Sequence, residues 1–402
     1  MHIAILGRQP VFGMAELECL YGSNSLSWFN SSTACIDSPH LNFDFNRLGG
    51  SQKAGRVILD EQYTTFQALS NKIIQRYATE WRSSSHKITL GISVYDLPTN
   101  SQAVQKIGLH LKKLLREYGV SLRVIPNREI ALNTATSHHN KLGLSEHKVE
   151  LLIVGSTQGR ALVAESIGAQ NISALAARDQ ARPKTDAFVG MLPPKLARIL
   201  VNMGTGLYSQ QSASSSDTSL QIVDPFCGTG VVLQEALLLG YSVYGSDLSD
   251  KMVDYSRTNL RWLQDTYPKI PRKYHVELGN AVSHTWKFSP TPVVISETYL
   301  GQPFSAPPSP EKLREVRATC NGIVRDFLLN IHPQLPKNAV LCLAVPAWRN
   351  GDGKATRLPL RDHLNELGYQ RVPLTHVADH KLLYFRETQV VARDILLLQR
   401  LS

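Results

Sequence analysis

From residue 220 onward, short apolar runs alternate with longer stretches in which apolar positions recur every three or four residues. That alternation is the mark of strands and helices following one another in a parallel, doubly wound sheet. It predicts strands at 220–223, 242–246, 274–278, 292–296 and 339–345, and helices at 231–239, 249–265, 311–331 and 359–367. The end of the chain breaks the pattern. Residues 381–385 and 389–399 read as two strands joined by a turn, an antiparallel pair closing a parallel sheet.

The first half is also α/β but less regular. Residues 2–6 read as a strand and 11–21 as a helix, with strand-like pieces at 34–36 and 56–59, a loop at 39–51 and a helix over 65–81. Together they suggest a unit of ferredoxin-like size. A second α/β unit follows: strand 88–94, an amphipathic helix over 102–118, strand 121–125, helix 130–142, and strands 150–154 and 161–166 about a Gly155–Gly159 turn. The helix over 102–118 sets Val104, Ile107, Leu111, Leu114, Leu115 and Tyr118 on one face and Lys106, Lys112, Lys113 and Arg116 on the other. Residues 169–195 read as a connector, and 209–219, rich in serine, as a mobile loop. The expected divisions are 1–85, 86–168, a linker 169–193, and 194–402.

Composition narrows the class. At 402 residues, 43% hydrophobic and 19% charged, the chain suits a globular protein of two or three domains. Its five cysteines are spread without a C-x-x-C or Cys/His cluster, so neither a metal site nor a disulfide framework is expected, and a reduced, cytoplasmic protein is. The apolar runs are too short and too interrupted to cross a membrane, and Met1 to Leu6 reads as a first strand, not a signal peptide. A net charge of +10, with a positive surplus in both halves, admits a large polyanion as partner.

The candidate chemistry lies between the strand at 220–223 and the helix at 231–239. The turn Asp224-Pro225-Phe226-Cys227-Gly228-Thr229-Gly230 joins them, and Asp247 ends the next strand with Leu248 after it. Glycines let the backbone approach a ligand, and an acid at the second strand end suits ribose hydroxyls. The turn is not G-x-G-x-x-G, which points away from a dinucleotide and toward S-adenosylmethionine. Asp224 is expected beside the charged amino-acid end of that cofactor. Asp247 reads as the ribose ligand, with a helix N-cap as the alternative. Asn280 and Ala281, after the third strand, are candidates for the adenine edge. Cys227 reads as small filler rather than a nucleophile. Ser296, Glu297, Thr298 and Tyr299, after the fourth strand, face the transferable group in such a topology. Glu297 is the candidate acceptor for an exocyclic amine and Tyr299 the candidate stacking surface for a flipped base. Lys106, Lys112, Lys113, Arg116, Arg123 and Arg128 are the candidate RNA contacts.

These features together resemble the THUMP-domain tRNA guanine-N2 methyltransferases over nearly the whole length. Met1 to Arg8 with Ala15 to Glu18 resembles the ferredoxin-like opening; Gly91 to Tyr95, the basic helix and Asn140 to Leu142 resemble the THUMP domain. Arg178 to Pro183, Gly190 to Arg198 and Asn202 resemble the approach to the cofactor turn, and Val391 to Leu398 the closing strand. The resemblance implies a Rossmann-like class I methyltransferase domain preceded by ferredoxin-like and THUMP domains. It also implies S-adenosylmethionine as cofactor, tRNA or another structured RNA as partner, and in some branches a small activator subunit. The best-known members act on the guanosine at tRNA position ten. This chain departs from the family at one place. The family carries an Asp or Asn, two prolines and a Tyr after the fourth strand, where this chain has Ser296-Glu297-Thr298-Tyr299. That departure keeps two rivals open: tRNA binding without catalysis, and methylation of another exocyclic amine, on adenine or cytosine of RNA or DNA.

Overall fold

A computed structural model describes residues 1–37, 43–186, 192–211, 220–271, 273–289, 291–304, 306–350 and 354–401. The chain opens with β1 (His2–Leu6), α1 (Pro10–Tyr21), β2 (Leu26–Asn30), β3 (Thr33–Ile36), β4 (Ser51–Gln62) and α2 (Phe66–Glu80). It continues with β5 (Ile88–Tyr95), α3 (Ser101–Glu117), β6 (Leu122–Val124), α4 (Thr134–His139), β7 (Lys148–Gly155) and β8 (Arg160–Ala169). The eight strands form one sheet in the order β2-β3-β1-β4-β8-β7-β5-β6. By compactness the chain divides into residues 1–10 with 24–174, and residues 11–23 with 175–402. The expected division at residue 85 therefore falls inside one sheet and one unit, between α2 and β5.

In the first unit, α3 packs on β5 and β6 with Val104, Ile107, Leu111 and Leu115 buried, whereas Tyr118, expected on that face, is exposed because the helix ends at Glu117. Asn100 caps it, its side chain accepting the Ala103 N–H at 2.9 Å. The helix expected over 130–142 shrinks to α4. The N–H of Leu132 is donated to Ser93 Oγ at 2.9 Å, and its carbonyl accepts from buried Lys53 Nζ at 2.7 Å. Backbone groups spent on side chains in this way cannot enter a helical ladder. Lys53 also pairs with Glu150 in the interior, so this network pins the 126–133 segment against β5.

The second unit holds α5 (Ile172–Gln180) from its Leu175 onward, α6 (Pro194–Gln211), β9 (Gln221–Asp224), α7 (Val231–Leu238), β10 (Ser242–Asp247), α8 (Asp250–Thr266), β11 (Tyr274–Leu278) and β12 (Pro292–Glu297). Then come α9 (Pro310–Ile331), β13 (Val340–Arg349), β14 (Ala355–Arg357), β15 (Tyr369–Arg371), β16 (Leu383–Tyr384) and β17 (Val391–Arg400). The sheet order is β11-β10-β9-β12-β13-β17-β15. β11, β10, β9, β12 and β13 are mutually parallel; β17 runs antiparallel between β13 and β15. The strand order reverses between β9 and β12, and in such sheets ligands bind at the carboxyl ends beside that reversal. The expected antiparallel pair forms between β16 and β17, shortened to Leu383 and Tyr384, and β15 also pairs with β17.

Two other expectations change. The connector contains α5, anchored by a buried pair in which Arg178 Nε donates to Glu235 Oε1 at 2.6 Å; Arg198 Nε donates to Oε2 of the same carboxylate at 2.7 Å. The helix expected at 359–367 is two 3-10 turns, Pro359–Asp362 and Asn365–Leu367, because the Leu360 N–H is taken by Asn321 Oδ1 at 2.8 Å. The serine-rich loop lies outside the described residues from 212 to 219, and α6 runs to Gln211. The expected approach segment likewise falls outside them at Gly190 and Met191.

Candidate functional site

The turn after β9 is built to expose backbone. Gly228 and Gly230 take φ of +49° and +82°, a region L side chains rarely enter. A Cβ on Gly230 would meet Ser256 Oγ at 2.8 Å, whereas one on Gly228 would meet nothing within 4 Å. Gly230 is thus closed in by α8 and Gly228 faces open space. The side chains of α8 hold the turn from behind. Ser256 Oγ donates to the Gly228 carbonyl at 2.9 Å, and Asn259 Nδ2 donates to the Thr229 carbonyl at 2.9 Å. Sequence reading missed both residues; their signal was two small polar side chains on the face of a helix that otherwise buries Val253, Leu260 and Leu263.

The other turn side chains face inward. The Phe226 ring packs edge-on against Phe327 at 5.1 Å between centroids. Cys227 is buried and its thiol pushed far up by burial, which agrees with filler rather than a nucleophile. Pro225 and Thr229 complete the turn, Thr229 being buried. What the turn offers a ligand is main chain and the two acids.

Those acids differ. Asp224, only 2% exposed, ends β9; its Oδ1 accepts from Ser296 Oγ at 2.5 Å and from the Phe226 N–H at 3.2 Å. Burial pushes its carboxyl up to about 7 against the pull of those two bonds, and the charges of Asp247 and Glu297 push the same way. Asp247 ends β10. Its Oδ2 accepts the Gly228 N–H at 2.9 Å and its Oδ1 the Ser249 N–H at 3.0 Å. Asp247 thus bonds the backbone just before α8, whose N-cap is Ser249, and stands beside the open glycine. Burial raises its carboxyl and the two N–H groups oppose the rise.

Leu248 is 71% and Leu278 51% exposed, at the ends of neighbouring strands β10 and β11. Asn280 is exposed with its Oδ1 accepting the Val282 N–H at 3.2 Å, and Ala281 is buried behind it. Two bare leucines beside an amide make a small apolar ledge with one polar edge. Leu278 was not foreseen; an apolar residue ending a strand is hard to tell from core.

At the end of β12 the alternation of side chains separates neighbours. Ser296 is fully buried with its hydroxyl on Asp224, while Glu297 points the other way into an ion pair with Arg393 of β17. Thr298 is buried, its N–H donated to the Ala344 carbonyl at 3.0 Å, and Tyr299 is 46% exposed. Burial raises the Glu297 carboxyl and Arg393 pulls it down. Arg393 was missed, although a charged pair, Arg393-Asp394, at the head of the apolar run 395–398 was a visible signal. In the first unit, Lys106, Lys112, Lys113 and Arg116 of α3, Arg123 of β6 at the sheet edge, and Arg128 are all exposed. Among the described residues no group of three or more His, Cys, Asp or Glu is placed to hold a metal ion, and no helix is long and apolar enough to cross a membrane.

No protein-family profile matches the chain. Over 172 residues it is 31% identical to the tRNA (guanine(10)-N2)-dimethyltransferase of Methanothermobacter thermautotrophicus, a stretch of 42% of this chain and 44% of that protein. Over 115 residues it is 31% identical to the protein of the same name from Pyrococcus abyssi, covering 29% of this chain and 26% of that one. The chain thus spans less than half the length of these curated relatives. The crystal structure of TrmN from Thermus thermophilus aligns over 100% of this chain and 99% of its own, with a TM-score of 0.52 at 15% identity. That of a possible methylase from Clostridium difficile 630 aligns over 100% and 97%, with a TM-score of 0.50 at 12% identity. The chain is therefore related by sequence, over about two fifths of its length, to tRNA guanine-N2 methyltransferases, and its second unit carries the class I methyltransferase fold.

Proposed function

We propose that the protein is an S-adenosylmethionine-dependent methyltransferase acting on a guanine N2 of tRNA, at position ten as in the names of its relatives. The observation that carries the reading is the turn after β9: two glycines at positive φ, one facing open space, with Asp247 bonded across it. The residues fit the cofactor. Asp247 suits the ribose hydroxyls, Leu248, Leu278, Asn280 and Ala281 the adenine, and Asp224 with the 225–230 main chain the amino-acid end. When bound, the sulfonium supplies an already activated methyl group, so what remains for the protein is placement of the nucleophile. Glu297 and the backbone around Thr298 are the acceptors offered to a guanine amine, and Tyr299 the stacking surface for its base.

The exposed cations of α3, β6 and Arg128 are the proposed phosphate contacts, and residues 86–168 the proposed THUMP part of the first unit. The five cysteines are free and buried, which suits the reduced cytoplasm. Stimulation of the purified chain by a small added subunit would place it among the partner-dependent branches. A rival, tRNA binding without transfer, draws on one observation: the Ser296 hydroxyl, at the place of the family's acid, is spent on Asp224. One assay separates the two. Unmodified tRNA incubated with the protein and methyl-labelled cofactor should yield N2-methylguanosine by nucleoside mass spectrometry. Label on no tRNA would leave the rival standing.

A further inference from the structure

The structure assigns Arg393 as the positioning residue of the transfer site: it grips one oxygen of Glu297 so that the other is presented to the incoming amine. This rests on the proposed methyltransferase reading and says how a site lacking the family's motif would still hold its nucleophile.

The geometry comes from register. Glu297 lies opposite Ala344 of β13, and Arg393 lies opposite Pro346 of the same strand. Positions two apart share a face, so Glu297 and Arg393 stand on one side of the sheet with β13 between them. Ala344 and Pro346 are short, and the guanidinium reaches across them: Arg393 Nε donates to Glu297 Oε1. The side chains are 6% and 15% exposed, so water screens the pair little. Among the described residues Oε2 of Glu297 accepts no hydrogen bond, and it is not among the fully buried orphan atoms. One carboxylate oxygen is therefore held and the other is accessible. Asp394, the next residue of β17, points to the opposite face, where Arg357 and Arg361 lie within 3.3 and 3.0 Å of it. Those ion pairs hold Asp394 on that face, and alternation along β17 leaves Arg393 on the other.

The arrangement has a chemical consequence. An acceptor for an amine that loses a proton after attack must be ionised. The charged group facing Glu297 is Arg393 from β17; β13 contributes only Ala344 and Pro346, and Asp224 of β9 lies on the Ser296 side. Removing the guanidinium leaves burial, which favours the protonated form.

The test compares Arg393→Met, Arg393→Lys and Glu297→Gln with wild type, each checked for wild-type circular dichroism. Glutamate carboxyl carbon-13 resonances give a readout independent of turnover, the Glu297 signal being the one absent in Glu297→Gln. Its titration midpoint should rise by about one pH unit or more in Arg393→Met. Methyl transfer at neutral pH should fall about tenfold or more in Arg393→Met with cofactor affinity kept, recover in part at higher pH, and survive better in Arg393→Lys. An active wild type with an unmoved Glu297 midpoint, or an Arg393→Met that transfers at the wild-type rate, overturns the role of Arg393 alone. A wild type that methylates no tRNA overturns the underlying reading, and this role with it.

Discussion

At the residue scale, the acid that ends β9 sits in conflict with its surroundings. Asp224 is 2% exposed and its carboxyl is pushed up to about 7, above an ordinary 3.8. Between those values the folded protein holds a proton that the unfolded chain has released. The contribution of Asp224 to stability is thus full below about pH 4 and is lost as pH rises through 7. Asp224→Asn keeps an oxygen for the Ser296 hydroxyl but cannot titrate. A plot of melting temperature against pH should be flatter for this variant between about pH 4 and 7 than for wild type, and the same slope in both would refute the shift. Asp247 is raised by burial in the same direction but has different partners. It accepts two backbone N–H groups and still borders the open face of Gly228. If it also holds a ribose, Asp247→Ala loses at least one charge-assisted bond, of roughly 1.5–3 kcal/mol, and cofactor affinity should fall about tenfold or more. Calorimetry on the folded variant measures this; an unchanged affinity removes Asp247 from the site.

At the scale of elements, helices are held close by missing side chains as much as by present ones. Gly206 of α6 lies where a Cβ would sit 2.3 Å from the Cys19 carbonyl of α1. Backbone cannot step aside, so Gly206→Ala should cost about 1–3 kcal/mol in denaturant unfolding. Gly204→Ala is the control, since its Cβ would meet only side chains, Ile295 at 3.0 Å and Val293 at 3.3 Å, and no backbone. In α3, Lys112 and Lys113 extend from the face opposite the buried row. Replacing both with Ala should flatten log affinity for tRNA against log salt by about one to two units; an unchanged slope would make them a solvated face. Sequence alone made α3, the β9 turn and Asp247 legible because their signals are local: a helical period, a glycine pair, an acid after an apolar run. It missed the ion pair of Glu297 and Arg393, which lie 96 positions apart, because only sheet register brings them together. It overran α4 for a similar reason: Leu132 is drawn out of helical form by Ser93 and Lys53, both remote in sequence.

For the whole molecule, the boundary between units is not a single cut in the chain. Residues 11–23 belong with 175–402. Helix α1 shows why: Phe12 to Cys19 are all buried, Glu16 and Glu18 included. A helix without a polar face must be enclosed. Its acids are matched inside the second unit, where Asn202 Nδ2 donates to Glu16 Oε1 at 2.7 Å and the N–H of His376 donates to Glu18 Oε2 at 2.9 Å. Gln210 Nε2 reaches the carbonyls of Glu18 and Cys19 at 2.8 and 2.6 Å. Removing α1 would bare the apolar side of α6 and leave several buried donors without acceptors, at roughly 1–3 kcal/mol each. Such a sum rivals the whole stability of a domain, about 5–15 kcal/mol. A fragment of residues 175–402, the second unit without its first helix, should therefore be insoluble or melt without cooperativity. Rejoining residues 11–23 to it through a flexible linker should restore a cooperative transition. Differential scanning calorimetry decides the matter: a fragment that melts as sharply and as high as the full chain would show that α1 is a passenger and not part of the fold.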